Sequence, residues 1–204
     1  MTAHLILESR HQMTDEEIQQ RILDAAEECL LQAGPTARIH HLIAERAGVS
    51  RPTVYKHIGD QKAVIEALLH RELDRFLTAA QSVLARHGSL HERFIETVVY
   101  AVTYAREHAL LQKILHEEPQ IALPWLTTNA DAVFERVVAF MSPHIKRGER
   151  DHVNAINPKI VVEWQARLAI SLLITPSVTS RLDDPRKLRR YVSDLLDIGR
   201  TPVR

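Results

Sequence analysis

Residues 38–62, RIHHLIAERAGVSRPTVYKHIGDQK, place a helix stop and a helix start within a few positions of each other. Ile39, Leu42, Ile43 and Ala47 recur at helical spacing, so residues 39–47 turn one apolar face inward. Gly48 follows the last periodic residue, where a left-handed backbone ends a helix without steric cost. Val49 then points back to the core. Ser50 suits an N-cap, and Pro52 falls in the first turn, where a missing N–H costs nothing. Val54 and Ile58 anchor the second helix, leaving Arg51, Thr53, Tyr55, Lys56 and His57 on its outer face. A helix of about two turns whose exposed side chains all donate hydrogen bonds suits the major groove of DNA.

The run ILDAAEECLLQAG, followed by IAERAGVSRPTVYKHIGDQKAVIEALL, resembles the N-terminal domain of TetR-family transcriptional regulators. The resemblance spans residues 18–69, about a quarter of the chain, with the AGVS turn, the Thr-Val-Tyr of the second helix and the preceding Ile-Leu-x-Ala-Ala at the family's spacing. This chain departs from the pattern in having Ile58 for the usual Phe, Pro52 for a frequent Gly, and Ile39 where Ser or Thr often meets a phosphate. Gln61 stands where the family usually has a lysine, with Lys62 one residue later. The resemblance implies a DNA-binding domain, a ligand pocket in the following helices, and dimerisation through the last two helices as a four-helix bundle.

Charge supports a nucleic-acid partner over a generic helical hairpin. Across residues 38–62, Arg38, Arg46, Arg51, Lys56 and Lys62 oppose only Glu45 and Asp60, whereas Asp15, Glu16, Glu17, Asp24, Glu27 and Glu28 make the preceding helix acidic. Basic charge is therefore focused, as phosphate contact requires. The whole chain of 204 residues has a formal net charge of zero, which excludes a general polyanion binder but not local DNA contact. A single cysteine, Cys29, rules out an internal disulfide and fits a reducing cytoplasm; its place on an inward helical face marks it as a small buried thiol. Leu5-Ile6-Leu7 is too short for a signal peptide, and no run is long enough to span a membrane.

Scarce glycine and few alternating stretches predict an all-α protein of about nine helices. Residues 1–13 read as a loose arm and 14–60 as a three-helix helix-turn-helix domain, linked through a helix over 60–87 to a ligand-sensing and dimerisation domain at 61–204. Thr14 caps the first helix, and Ser89 with Glu92 forms a capping box for a helix ending near Glu107. Helices are then expected over 110–117, 128–147, 159–174 and 185–198, with Pro119–Leu126 as a proline-bounded connector and 148–158 as a polar loop. The stretch 159–174 is apolar on nearly every side, which points to a second copy covering it.

These features predict a homodimeric, ligand-responsive regulator of double-stranded DNA, a repressor released from a palindromic operator by a hydrophobic small molecule. Arg51, Thr53 and Lys56 are expected at base edges, with Pro52 starting their helix. Tyr55, His57, Lys62 and Arg38 are expected on phosphates. Candidate pocket residues are Phe94, Val98, Tyr104, His108, Leu111, Leu115, Trp125, Leu126, Phe134 and Val138, with Gln112, His116, Glu163 and Gln165 as further polar candidates. Their apolar character favours an acyl chain or a flat aromatic. The dimer surface is placed at Trp164, Leu168, Leu172, Leu188, Tyr191, Val192, Leu195 and Leu196. Twelve histidines, among them His87 and His91, show no spacing of a closed metal site, and no nucleophile elbow or phosphate loop suggests catalysis, so no cofactor is expected. The alternative is an all-α carrier or enzyme that retains a helix-turn-helix.

Overall fold

The computed structural model describes residues 14–34, 39–85, 88–146 and 157–198. Among them there are ten helices and no strand. The chain divides into two compact units, Met1–Leu68 and Leu69–Arg204. The division lies inside a helix, not at its start as the sequence suggested.

The first unit holds α1 (Asp15–Ala33), α2 (Ile39–Ala47), α3 (Arg51–His57) and the opening turns of α4 (Gln61–Leu84). Thr14 caps α1 in a reciprocal box with Glu17, and three acidic residues in the first turn complement the helix dipole. Ile22, Ala26, Ile43, Val54, Ile65 and Leu68 are each 0% exposed and form one core. Sealing a side chain such as Val54 from water contributes about 1.5–3 kcal/mol, which lets so short a helix as α3 hold its place.

The second unit contains the rest of α4, then α5 (Leu90–Glu107), α6 (Ala109–Glu117), α7 (Pro119–Leu126), α8 (Asp131–Lys146), α9 (Pro158–Ile174) and α10 (Pro185–Asp197). The expected Ser89–Glu92 capping box starts α5, which packs against α6, α9 and α10, while α8 packs on α9. Phe94, Val98, Val102, Val162, Leu188 and Val192 make the centre of its core. Arg106 on α5 donates through both arms of its guanidinium, to the carbonyls of Leu182 and of Leu172 at the end of α9.

Several boundaries differ from expectation. The proline-bounded connector is a helix, α7: Pro119 sits in the first turn, Ala122 and Leu126 are buried, and Pro124 costs one bond near the helix end. α8 begins at Asp131 because the preceding residues form a turn in which Asn129 N–H donates to the Pro124 carbonyl at 2.7 Å. α4 ends at Leu84, before the expected His87, which lies outside the described residues, as do the arm 1–13 and most of the polar loop. α9 is covered by its own chain on one side only: Val161, Val162, Gln165 and Leu172 are buried, while Ile160 is 61% and Trp164 51% exposed.

Candidate nucleic-acid interface and an apolar cavity

The turn between α2 and α3 is set by backbone geometry. Gly48 has φ 65°, Val49 N–H donates to the Ala44 carbonyl at 3.0 Å, and Arg21 Nη2 donates to the Ala47 carbonyl at 2.7 Å. Ser50 then caps α3, accepting from Thr53 N–H at 3.2 Å, and the two hydroxyls lie 2.7 Å apart. Val54 locks the helix inward, so Arg51, Pro52, Tyr55 and Lys56 are exposed and Thr53 is half-buried. Among the described residues Arg51 and Lys56 form no ion pair, so their charges remain available.

Other expected contacts lie differently. The His57 side chain is only 10% exposed and turns toward Asp15 on α1, 3.9 Å away, not outward toward phosphate. Arg46 is engaged by Glu28 at 3.3 Å and Gln32 at 2.9 Å, which removes it from the focused charge. Lys62 is exposed and 3.7 Å from Glu66. Arg38 lies outside the described residues. One contributor was missed: His40 is 6% exposed, its Nε2 is 3.0 Å from the Gly59 carbonyl, and its ring stacks on Tyr55 at 4.2 Å with planes 2° apart. That stack fixes the direction of Tyr55. The sequence signal was a histidine beside Ile39 on an otherwise apolar helix face.

The second unit holds a partly open cavity of about 140 Å³. Its wall includes Leu69, Glu72, Leu73 and Phe76 of α4, Thr97, Val98, Ala101, Tyr104 and Ala105 of α5, then His108, Leu111, Trp125 and Leu126. Val133, Phe134, Val137 and Met141 of α8 and Gln165, Ala166, Ala169, Ile170 and Leu173 of α9 complete it. The expected Phe94, Leu115 and Val138 do not line it. Phe94 is 4% exposed, packed at 4.8 Å from the Trp164 ring; Val138 packs on the core; Leu115 is half-buried elsewhere. Among the other polar candidates, Gln112 donates to the Ala105 carbonyl, Glu163 pairs with Arg167 and His116 is exposed.

Few polar atoms reach this cavity. Glu72, 5% exposed, holds its Oε1 2.7 Å from Arg75 Nη1, and its Oε2 is 2.9 Å from His108 Nε2. That second contact is ionic in distance but poorly aligned as a hydrogen bond, leaving Oε2 without a well-directed donor. His108 Nδ1 accepts from Leu111 N–H at 3.3 Å as the N-cap of α6, which places the ring proton on Nε2, toward Glu72. Burial, reinforced by the charge of Glu72, pushes the Tyr104 phenol above its ordinary value. Gln165 is 6% exposed, and neither its buried Oε1 nor the rest of its amide meets a partner among the described residues. Trp125 Nε1 is likewise buried and unpartnered.

On α9 and α10, Leu172, Leu188 and Val192 fill their own chain's core at 7%, 1% and 0% exposure, so they are not surface residues as expected. Leu168, Tyr191 and Leu196 are half-buried. Trp164 and Leu195 are exposed, together with Ile160 and Ile198. Among the described residues no group of three or more His, Cys, Asp or Glu is placed to hold a metal, and no helix is long and apolar enough to cross a membrane.

Comparison with known proteins agrees with the helix-turn-helix. Residues 22–68 match the family described as bacterial regulatory proteins, tetR family. An uncharacterised HTH-type transcriptional regulator of Mycobacterium tuberculosis is 28% identical over 162 residues, covering 76% of this chain and 74% of the relative. The fold of the transcriptional repressor QsdR of R. erythropolis is similar at a TM-score of 0.64 and 18% identity, covering 93% of this chain and 98% of that one. AlkX of a Dietzia strain, a TetR-family repressor implicated in biodegradation of n-alkanes, matches at a TM-score of 0.64 and 19% identity over 89% of this chain and 94% of its own. The helix-turn-helix of the first unit is therefore similar to that of the tetR family of bacterial regulatory proteins, and the chain as a whole resembles an HTH-type transcriptional regulator in sequence and TetR-family repressors in fold.

Proposed function

We propose that this chain is a DNA-binding transcriptional regulator that works in the cytoplasm as a homodimeric repressor, released from a palindromic operator when a hydrophobic small molecule fills the cavity of the second unit. The observation that carries the reading is α4. This helix runs unbroken from Gln61 to Leu84, and Leu69, Glu72, Leu73 and Phe76 on it form one side of the cavity wall. A ligand there presses on the same helix whose opening turns complete the DNA-reading core through Val64, Ile65 and Leu68. Two recognition helices must match half-sites about 34–36 Å apart, so a small movement of α4 suffices to break the match. The repressor sign follows the description of QsdR and AlkX.

In this reading Arg51, Thr53 and Lys56 face base edges, with Pro52 starting the helix, and Tyr55, Lys62 and Arg38 meet phosphates. His57 serves the packing of α3 on α1. The exposed apolar residues Ile160, Trp164, Leu195 and Ile198 meet a second copy, as burying them requires. The test is fluorescence anisotropy with a duplex selected from a random library by the full chain. Lys56→Ala with Tyr55→Ala is expected to lower affinity by about tenfold or more, and each phosphate contact removed should reduce the log–log salt slope by about 0.9. Unchanged affinity in a variant with native helicity would overturn the reading.

A further inference from the structure

We propose that the cavity takes a small uncharged alcohol or phenol, an apolar body about one aromatic ring in size bearing one hydroxyl, and that Gln165 is the residue that selects the hydroxyl. The inference rests on the ligand-responsive reading above and adds the chemistry of the effector to it.

Size is the first constraint. A cavity of about 140 Å³ is comparable with the engineered apolar cavity of about 150 Å³ that binds benzene. It suits a single ring or a short chain, the small end of the acyl chains and flat aromatics that the sequence left open. The space exists because Ala101, Ala105, Ala166 and Ala169 stand where larger side chains would close it.

Polarity is the second. Gln165 is more than nine-tenths buried in a largely apolar wall, and its amide meets no partner among the described residues. Buried polar groups are nearly always satisfied, so an unsatisfied amide on a residue that lines a ligand-sized space marks a recognition group. The buried Trp125 N–H in the same wall is a second unmet donor. A hydroxyl has the chemistry to meet either group, donating to Gln165 Oε1 or accepting from Trp125 Nε1. An ether or aldehyde cannot donate, and an ammonium group cannot accept.

Charge is the third. The wall carries the Glu72 carboxylate and no lysine or arginine, so an anionic ligand meets repulsion in a low-dielectric space. The raised Tyr104 phenol reports the same bias against negative charge. A cation gains little, because Glu72 is already engaged by Arg75 and His108.

Phenol, toluene and benzoate share the ring and separate the alternatives. Calorimetry on the purified full-length chain should show phenol binding about tenfold tighter than toluene, which has the same number of heavy atoms, with benzoate weakest. Gln165→Leu and Gln165→Met should each abolish the preference for phenol while keeping or improving toluene binding. Two variants guard against one that misfolds. Equal binding of toluene and phenol by the wild type, survival of the phenol preference in both variants, or no probe binding at all overturns the proposal. An anisotropy arm with duplex DNA separates it from its premise. Selective phenol binding that leaves DNA binding untouched sinks the ligand-responsive reading and leaves the cavity chemistry standing. Release of DNA by a charged or many-ringed compound, with phenol inert, does the reverse.

Discussion

Gly48→Ala isolates the turn between α2 and α3 from every contact made by a larger side chain. The residue sits at φ +65°, a conformation that costs an L-residue about 1–2 kcal/mol. Restricting the unfolded chain returns about 0.4–1 kcal/mol of that. The added Cβ would lie 3.1 Å from Arg21 Nη2, close enough that the guanidinium must shift by a few tenths of an ångström. That group donates to the Ala47 carbonyl at 2.7 Å, and a charged hydrogen bond is worth about 1.5–3 kcal/mol when intact. Weakening it without losing it brings the expected net cost to about 1–2 kcal/mol. Urea titration followed by far-ultraviolet circular dichroism, at one fixed protein concentration, should show a lower midpoint with an unchanged slope. Asparagine, which tolerates the left-handed region, should cost less than alanine, and valine, branched at Cβ, more. An alanine variant as stable as the wild type, or valine no worse than alanine, refutes the argument that φ is the governing term.

Two further outcomes follow from burial. Trp164→Glu places a charge on the exposed apolar stripe of α9 and should convert a dimer to a monomer in sedimentation velocity; a variant that stays dimeric removes α9 from the interface. Cys29 is 3% exposed, and burial pushes its thiol above its ordinary value, with Arg46 opposing. Because the folded value is the higher one, its contribution is present at neutral pH and is lost as pH rises past the ordinary thiol range. A thiol reagent at pH 8 should modify the native chain at least about a hundredfold more slowly than the denatured one, and equal rates would contradict the burial.

Local chemistry was the part most readable in the sequence. The α2–α3 turn depends on Gly48, Ser50 and Pro52 each doing what its own backbone dictates, so no tertiary knowledge was needed. The same holds for the Thr14 and Ser89 caps. α7 was misread because two prolines signal a break, yet one sits in the first turn and the other near the last. The cavity was harder for a different reason. Listing large apolar residues finds what fills space, as Phe94 does, whereas a cavity is defined by missing volume, here at four alanines spread over α5 and α9. Glu72 was recoverable: it falls four residues after Leu68 and four before Phe76, an acid inside an apolar stripe. The face of α10 looked like a dimer surface because an amphipathic helix shows that it will be covered, not by what; Leu188 and Val192 are covered by their own chain.

The Arg106 fork has a consequence for how the chain can vary. It grips main-chain oxygens of Leu172 and Leu182, so the clamp is indifferent to which side chains those positions carry. Substitutions in the segment joining α9 to α10 leave both acceptors in place, whereas an insertion or deletion between them moves one acceptor out of reach of a rigid planar donor. The segment is therefore free in composition and fixed in length, and a change of length there needs a compensating change at position 106.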